Sequence, residues 1–308
     1  MTYICAQNIS KEFANTKALN NVSVSIAEGE IFGLLGPNGA GKTTFIRILN
    51  QIFTADSGSI TINSQSLAAA DVHRMGYLPE ERGLYKKMKV AEQIYYFAAL
   101  KGMSRHNAQH ELNLWTERLQ IQNWEHKKVE ELSKGMQQKI QFIVSVIHKP
   151  KILVLDEPFS GFDPVNAQRL KEEILRLKAE GMTIILSTHN MNSVEELCNS
   201  IALIHKSEKI LEGNLAHIKQ SFAKNQYRIR FSGYVDTLML SLNTSYKIIE
   251  QHKEDEQSEF VLELLDNSSA NDVIRHCTQF GAIVSFSQVI PDMHSIFIDL
   301  VSREQTNK

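Results

Sequence analysis

The chain has 308 residues, 43% of them apolar and 22% charged, and a net charge of −2. Glycine (15) and proline (6) are too sparse for a collagen-like, low-complexity or largely disordered chain. The near-neutral balance excludes any global pull onto nucleic acid or anionic lipid, and the length allows about two domains.

The opening residues, MTYICAQNISKEF, carry no basic stretch followed by an apolar one, so no signal peptide is expected. No run approaches ~18 consecutive apolar residues, so no membrane span is expected. Cys5, Cys198 and Cys277 are scattered, which argues against a disulfide framework or a zinc site and fits a reducing cytosol.

The first chemical signal is Ile31-Phe32-Gly33-Leu34-Leu35, a continuous apolar run that predicts a strand covered on both faces. It leads into Gly36-Pro37-Asn38-Gly39-Ala40-Gly41-Lys42-Thr43, a full match to G-x-x-x-x-G-K-[ST], and then into a predicted helix over Thr44–Asn50. Glycines let such a loop wrap with its backbone N–H groups pointing inward as an anion nest, and the helix N-terminus at Thr44 adds its positive dipole end. Lys42 can reach β- and γ-phosphates, and the Thr43 hydroxyl can ligate Mg²⁺, a hard cation that prefers oxygen. The motif alone specifies a nucleotide-binding protein; GTPases, small kinases and motor ATPases share it.

Residues 90–120 read as mostly helical, part of an inserted helical subdomain spanning about 88–148. His106 and His110 could share a helix face there, but without the glutamate of H-E-x-x-H a solvated helix is favoured over a metal site. Tyr95, Tyr96 and Phe97 read as packing. Ile140, Ile143, Val144 and Ile147 recur at helical spacing. Lys151–Leu155 is a second buried strand, and Asp156-Glu157 closes it. Ligands of open α/β sheets sit at the carboxyl ends of strands, so Asp156 is placed to hold Mg²⁺ and Glu157 to orient an attacking water. Leu170, Ile174 and Leu177 mark a further helix, and Met182–Ser187 a third strand ahead of Thr188-His189.

A change of composition falls near residue 222. Residues 1–222 carry 25 basic and 23 acidic side chains, residues 223–308 carry 8 and 12. A short helix, Leu215–Phe222, is expected to join the halves. Beyond it, strands at Gln226–Phe231 and Glu259–Leu265, a solvated hairpin loop at Lys253–Gln257, a helix at Asn271–Gln279 and a strand at Ala282–Gln288 predict a small α+β domain. It contains no chemical motif.

The order of motifs resembles one family. Leu132-Ser133-Lys134-Gly135-Met136-Gln137-Gln138 resembles the LSGGQ signature of ABC ATPases. Ser160-Gly161-Phe162-Asp163-Pro164 resembles that family's D-loop, and His189 its switch histidine. Tyr77-Leu78-Pro79-Glu80 stands where the family has its Q-loop, and Phe13 where an aromatic stacks on adenine. The resemblance covers residues 1 to about 220, and variants with a C-terminal extension resemble exporter-type members related to sodium-efflux systems.

This resemblance implies an α/β P-loop ATPase core with an inserted helical subdomain, followed by the small α+β domain. It implies ATP and Mg²⁺ as ligands, with Thr43, Asp156 and Glu80 around the metal. Residues 36–44 would hold the phosphates, with Lys42, Glu157 and His189 as the catalytic set. Ser133, Gly135 and Asp163 would serve the nucleotide of a second subunit in a head-to-tail dimer. The partner implied is a separate transmembrane permease at the cytoplasmic face of the cell membrane, with no nucleic acid. Lys86, Lys87 and Lys89 are then either a solvated loop or a permease contact. Lys134, Met136 and Glu80 depart from the family pattern. A soluble ABC ATPase acting on ribosomes or DNA, and a regulatory binding module, are the alternative readings. A single cassette, too few residues for long coiled coils and a near-neutral charge oppose the first; the full catalytic set opposes the second.

Overall fold

In a computed structural model the chain is described over residues 2–81, 83–242, 246–253, 257–265 and 268–306. It divides into two compact units, Met1–Leu215 and Ala216–Lys308.

The first unit opens on a hairpin of β1 (Thr2–Phe13) and β2 (Thr16–Ala27). Next come β3 (Ile31–Leu35), the glycine-rich loop and α1 (Lys42–Leu49). β4 (Ser57–Ile62), β5 (Gln65–Ser66) and β6 (Met75–Leu78) precede three helices, α2 (Val90–Leu100), α3 (Arg105–Arg118) and α4 (Lys134–Val146). Then follow β7 (Ile152–Asp156), α5 (Pro164–Ala179), β8 (Thr183–Thr188), α6 (Met191–Leu197), β9 (Ser200–His205) and β10 (Glu208–Asn214). α7 (Leu215–Ser221) begins at the division.

Two sheets frame this unit. One is antiparallel, in the order β2-β1-β4-β5. The other runs β10-β9-β3-β8-β7-β6, parallel except for β10. Every residue of β3, β7 and β8 is buried, which is why their sequences are mostly continuous apolar runs rather than alternating ones, with Asp156, Thr183, Ser187 and Thr188 as buried polar residues at the strand ends. Phe32, Phe45, Ile46, Val154 and Ile185 belong to one core that also takes in β1 and β2. Helix ends are fixed locally. Ser133 accepts a hydrogen bond from Met136 N at 3.3 Å at the head of α4, and Asp163 accepts from Val165 N and Asn166 N at 3.1 and 3.0 Å ahead of Pro164 on α5. The helical segment is tied together by the Trp115–Phe142 edge contact and by Lys139 Nζ donating to Leu119 O at 3.0 Å.

The second unit is built from β11 (Gln226–Gly233), α8 (Val235–Ser241), β12 (Tyr246–Lys253), β13 (Ser258–Leu264), α9 (Ala270–Cys277), β14 (Gly281–Gln288) and α10 (Met293–Thr306). From β11 to β14 the order is β-α-β-β-α-β. The antiparallel sheet is arranged β12-β13-β11-β14, the split-βαβ arrangement of ferredoxin-like domains. Ile229, Phe231, Phe260, Leu262 and Val273 form its core. Arg228 and Arg230, the alternate residues of β11, are exposed and pair with Glu259 at 2.7 and 3.8 Å.

The expected α/β core and helical insertion are both present. The Lys253–Gln257 hairpin loop falls largely on residues 254–256, outside the described residues. The sequence reading omitted the antiparallel sheet of the first unit, and α8, β12 and α10 of the second.

Candidate nucleotide site

The carboxyl end of β7 and the loop that follows β3 open into a cavity of about 440 Å³. Asn38, Gly39, Gly41, Lys42, Thr43 and Thr44 supply one wall, and Glu80, Asp156 and Glu157 the other. Thr16, Lys17 and Ala18 at the start of β2, with Ser207 after β9, complete it. Two glycines are dictated by close approach. A Cβ on Gly36 (φ +146°) would stand 2.1 Å from Ile204 O, and one on Gly41 (φ +114°) 2.3 Å from Ala18 O. The loop is thereby pressed against β9 on one side and β2 on the other. Ala40 is buried beneath it, its N–H bonded to Pro37 O at 3.2 Å.

Lys42 is buried, and its ammonium donates to Gly36 O at 2.8 Å and Pro37 O at 3.1 Å. Burial lowers its pKa, opposed by the carboxylates of Glu157, Asp156 and Glu80. Asp156 is 1% exposed. Burial raises its pKa, while the Ser187 and Thr43 hydroxyls beside it pull the other way. Neither hydroxyl closes a well-formed hydrogen bond, so both carboxylate oxygens are buried without a partner. An orphaned carboxylate next to a threonine hydroxyl is a hard-oxygen donor set, and it fits Mg²⁺.

Glu157 is held from three directions. His189 Nδ1 lies 2.7 Å from Oε1, His189 N donates to Oε1 at 3.0 Å, and Thr188 Oγ1 donates to Oε2 at 3.2 Å. Its own N–H donates to Ser187 O at 3.0 Å, and its backbone is left-handed at φ 49°. For a non-glycine residue that conformation costs on the order of 1 kcal/mol, and here the flanking hydrogen bonds impose it.

The remaining expected site residues lie outside this cavity. Phe13 is 40% exposed, edge-on to Phe53 at 5.3 Å, at the turn whose far limb lines the cavity. Ser133 and Asp163 cap their helices, and Gly135 approaches the Gly161-Phe162 loop, where an added Cβ would meet Phe162 at 3.8 Å. Ser133 and Asp163 are exposed and Gly135 is half-buried.

The sequence reading overlooked two contributors. Thr16–Ala18 carry no local signal, because only the folding of the hairpin brings them to the loop. Gln141 does carry one: it is a polar residue on the buried side of α4. Its amide donates to Pro79 O at 3.0 Å and Glu81 O at 3.2 Å.

Comparison with known proteins agrees with this geometry. Residues 19–160 match the ABC transporter family model, and residues 213–301 match the C-terminal domain of DrrA1-3-like ATP-binding proteins. YhaQ of Bacillus subtilis (strain 168), an uncharacterised ABC transporter ATP-binding protein, is 42% identical over 96% of this chain and 97% of its own length. The chain belongs to the ABC transporter ATP-binding proteins. The lantibiotic transport ATP-binding protein SrtF of Streptococcus pyogenes is 35% identical over 67% of this chain and 88% of its own. A solved ATP-binding subunit of an ABC transporter superposes with a TM-score of 0.67 at 28% identity, covering 72% of this chain and 93% of that one. Members of this ABC ATPase family bind and hydrolyse ATP, and the P-loop fold and motif order agree with membership.

Proposed function

We propose that this chain is the ATP-hydrolysing subunit of an ABC exporter, converting ATP and water to ADP and phosphate to drive a separate membrane permease. The observation that carries the reading is the Glu157 carboxylate, fixed by His189 and Thr188 beside an unpartnered Asp156 and facing the Lys42 loop.

The backbone N–H groups of residues 38–43 and the Lys42 ammonium hold the polyphosphate. Thr43 and Asp156, with Glu80 nearby, would hold Mg²⁺, which when bound would offset the charge of the phosphates. Glu157 orients the attacking water, and His189 keeps that carboxylate aimed. Little covalent chemistry falls to the protein, so the rate comes from positioning and electrostatics. Ser133, Gly135 and Asp163 would face the nucleotide of a second ATPase subunit in a head-to-tail dimer, which closes on ATP and reopens after hydrolysis. Among the described residues no helix is long and apolar enough to cross a membrane. In this reading the permease is a separate chain, and the subunit sits against it at the cytoplasmic face of the membrane. Export is supported by the likeness to a lantibiotic transport protein.

Glu157→Gln is expected to bind ATP and lose turnover by about a hundredfold or more. Wild-type phosphate release by that variant would overturn the assignment. Affinity capture from detergent-solubilised native membranes is expected to recover a stoichiometric multi-spanning partner. Recovery with ribosomes alone would overturn the transport reading.

A further inference from the structure

The donors around Glu157 occupy its carboxylate unevenly. Each carboxylate oxygen offers about two lone-pair sites, and an ionised carboxylate only accepts. Oε1 takes two donors, His189 N at 3.0 Å and His189 Nδ1 at 2.7 Å, so that ring nitrogen carries a proton. Oε2 takes one, Thr188 Oγ1 at 3.2 Å. Among the described residues these are the donors to the side chain, and the one site left open is on Oε2.

The direction of the Thr188 bond is fixed. Asn190 N donates to the same Oγ1 at 3.1 Å, so the hydroxyl accepts there and turns its single proton to Glu157. Thr188 is 1% exposed, which keeps water from competing for that proton. It is the last residue of β8, paired in register with Leu35 where β3 runs into the glycine-rich loop. Its β-branched side chain has few rotamers open to it, whereas the last torsion of a glutamate is soft. Gripped at Oε1 alone, the carboxylate could pivot about that oxygen. A second anchor on Oε2, carried by a rigid strand end, stops the pivot.

We infer that Thr188 is a positioning residue for hydrolysis: by filling one side of Oε2 it makes the remaining site on that oxygen the one that orients the attacking water. The inference rests on the reading of Glu157 given above and deepens it. Thr188 is not among the residues that line the cavity, and it acts through Glu157.

The test is phosphate release by the full-length protein across a range of MgATP concentrations, with thermal melting of each variant beside it. Thr188→Val keeps the shape and removes the donor. It is expected to lower kcat about tenfold and to leave KM within about twofold, because the phosphates are held elsewhere. Thr188→Ser keeps the donor and is expected to recover most of kcat. In a Glu157→Gln background, followed in single turnover, Thr188→Val is expected to slow hydrolysis by less than about twofold more. A Thr188→Val protein that melts earlier but keeps the wild-type kcat would overturn the positioning role. So would a tenfold further loss in the Glu157→Gln background, since the threonine would then act on something other than Glu157. Wild-type turnover by Glu157→Gln alone would instead overturn the reading of Glu157 on which the inference stands.

Discussion

The two units bury their sheets in opposite ways. In the first, β3, β7 and β8 are covered on both faces, and the chemistry gathers where their carboxyl ends meet the loops. In the second, the sheet has one apolar face under α8 and α9, and its other face carries Arg228, Arg230 and Glu259. Strands closed on both sides leave function to the loops at their ends, and small geometric changes there are costly. A one-sided sheet spreads its polar groups over a surface, where exposed ion pairs contribute little to stability individually.

That contrast can be broken most sharply at Gly36. Its positive φ and its 2.1 Å clash with Ile204 O mean that Gly36→Ala costs more than ~3 kcal/mol at the loop. The expected result is loss of MgATP binding, read by displacement of a fluorescent analogue. Normal binding by the variant would show the strand–loop junction to be pliable.

Phe260→Ala probes the other unit. The ring is 1% exposed and lies 6.4 Å from Phe231, so its removal is expected to cost about 3–5 kcal/mol through lost burial and a residual cavity. Calorimetry is expected to show a transition moved to lower temperature, while MgATP still stabilises the nucleotide-binding unit. Loss of both together would erase the distinction between the units.

A smaller, graded effect separates them by pH. His148 at the end of α4 bonds Met75 O at 3.1 Å, and burial holds its folded-state pKa at about 4, below the ordinary 6.5. Protons therefore favour the unfolded chain. The stability that the neutral ring permits is complete above pH 6.5 and lost progressively as pH falls toward 4, by about 3 kcal/mol in all. Melting temperature measured across that range should fall more steeply for the wild type than for His148→Asn. Parallel slopes would remove His148 from the account.

Sequence legibility follows the same division. β3, β7 and β8 were readable because strands covered on both faces carry continuous apolar centres, and Gly36–Thr43, Asp156 and Glu157 were readable because chemistry restricts the residue types at each place. β1 and β2 were not, since their burial is irregular and register shifts interrupt the hairpin. β12 escaped for a related reason: YKIIEQHK offers no clean alternation, and a register shift falls between Ile248 and Glu250. In the site, Gln141 showed only as a polar residue on the buried side of α4; its partners, backbone carbonyls about sixty residues away, leave no motif that names them.

The Lys42 ammonium offers one last consequence. Its bonds to Gly36 O and Pro37 O hold the ammonium against the loop's own backbone. An incoming anion meets a charge already at its post, and the loop has no assembly step to complete. Association is then governed by encounter and by shedding of water. Its rate should rise gently with temperature, following solvent viscosity, and stopped-flow traces should be single-phased.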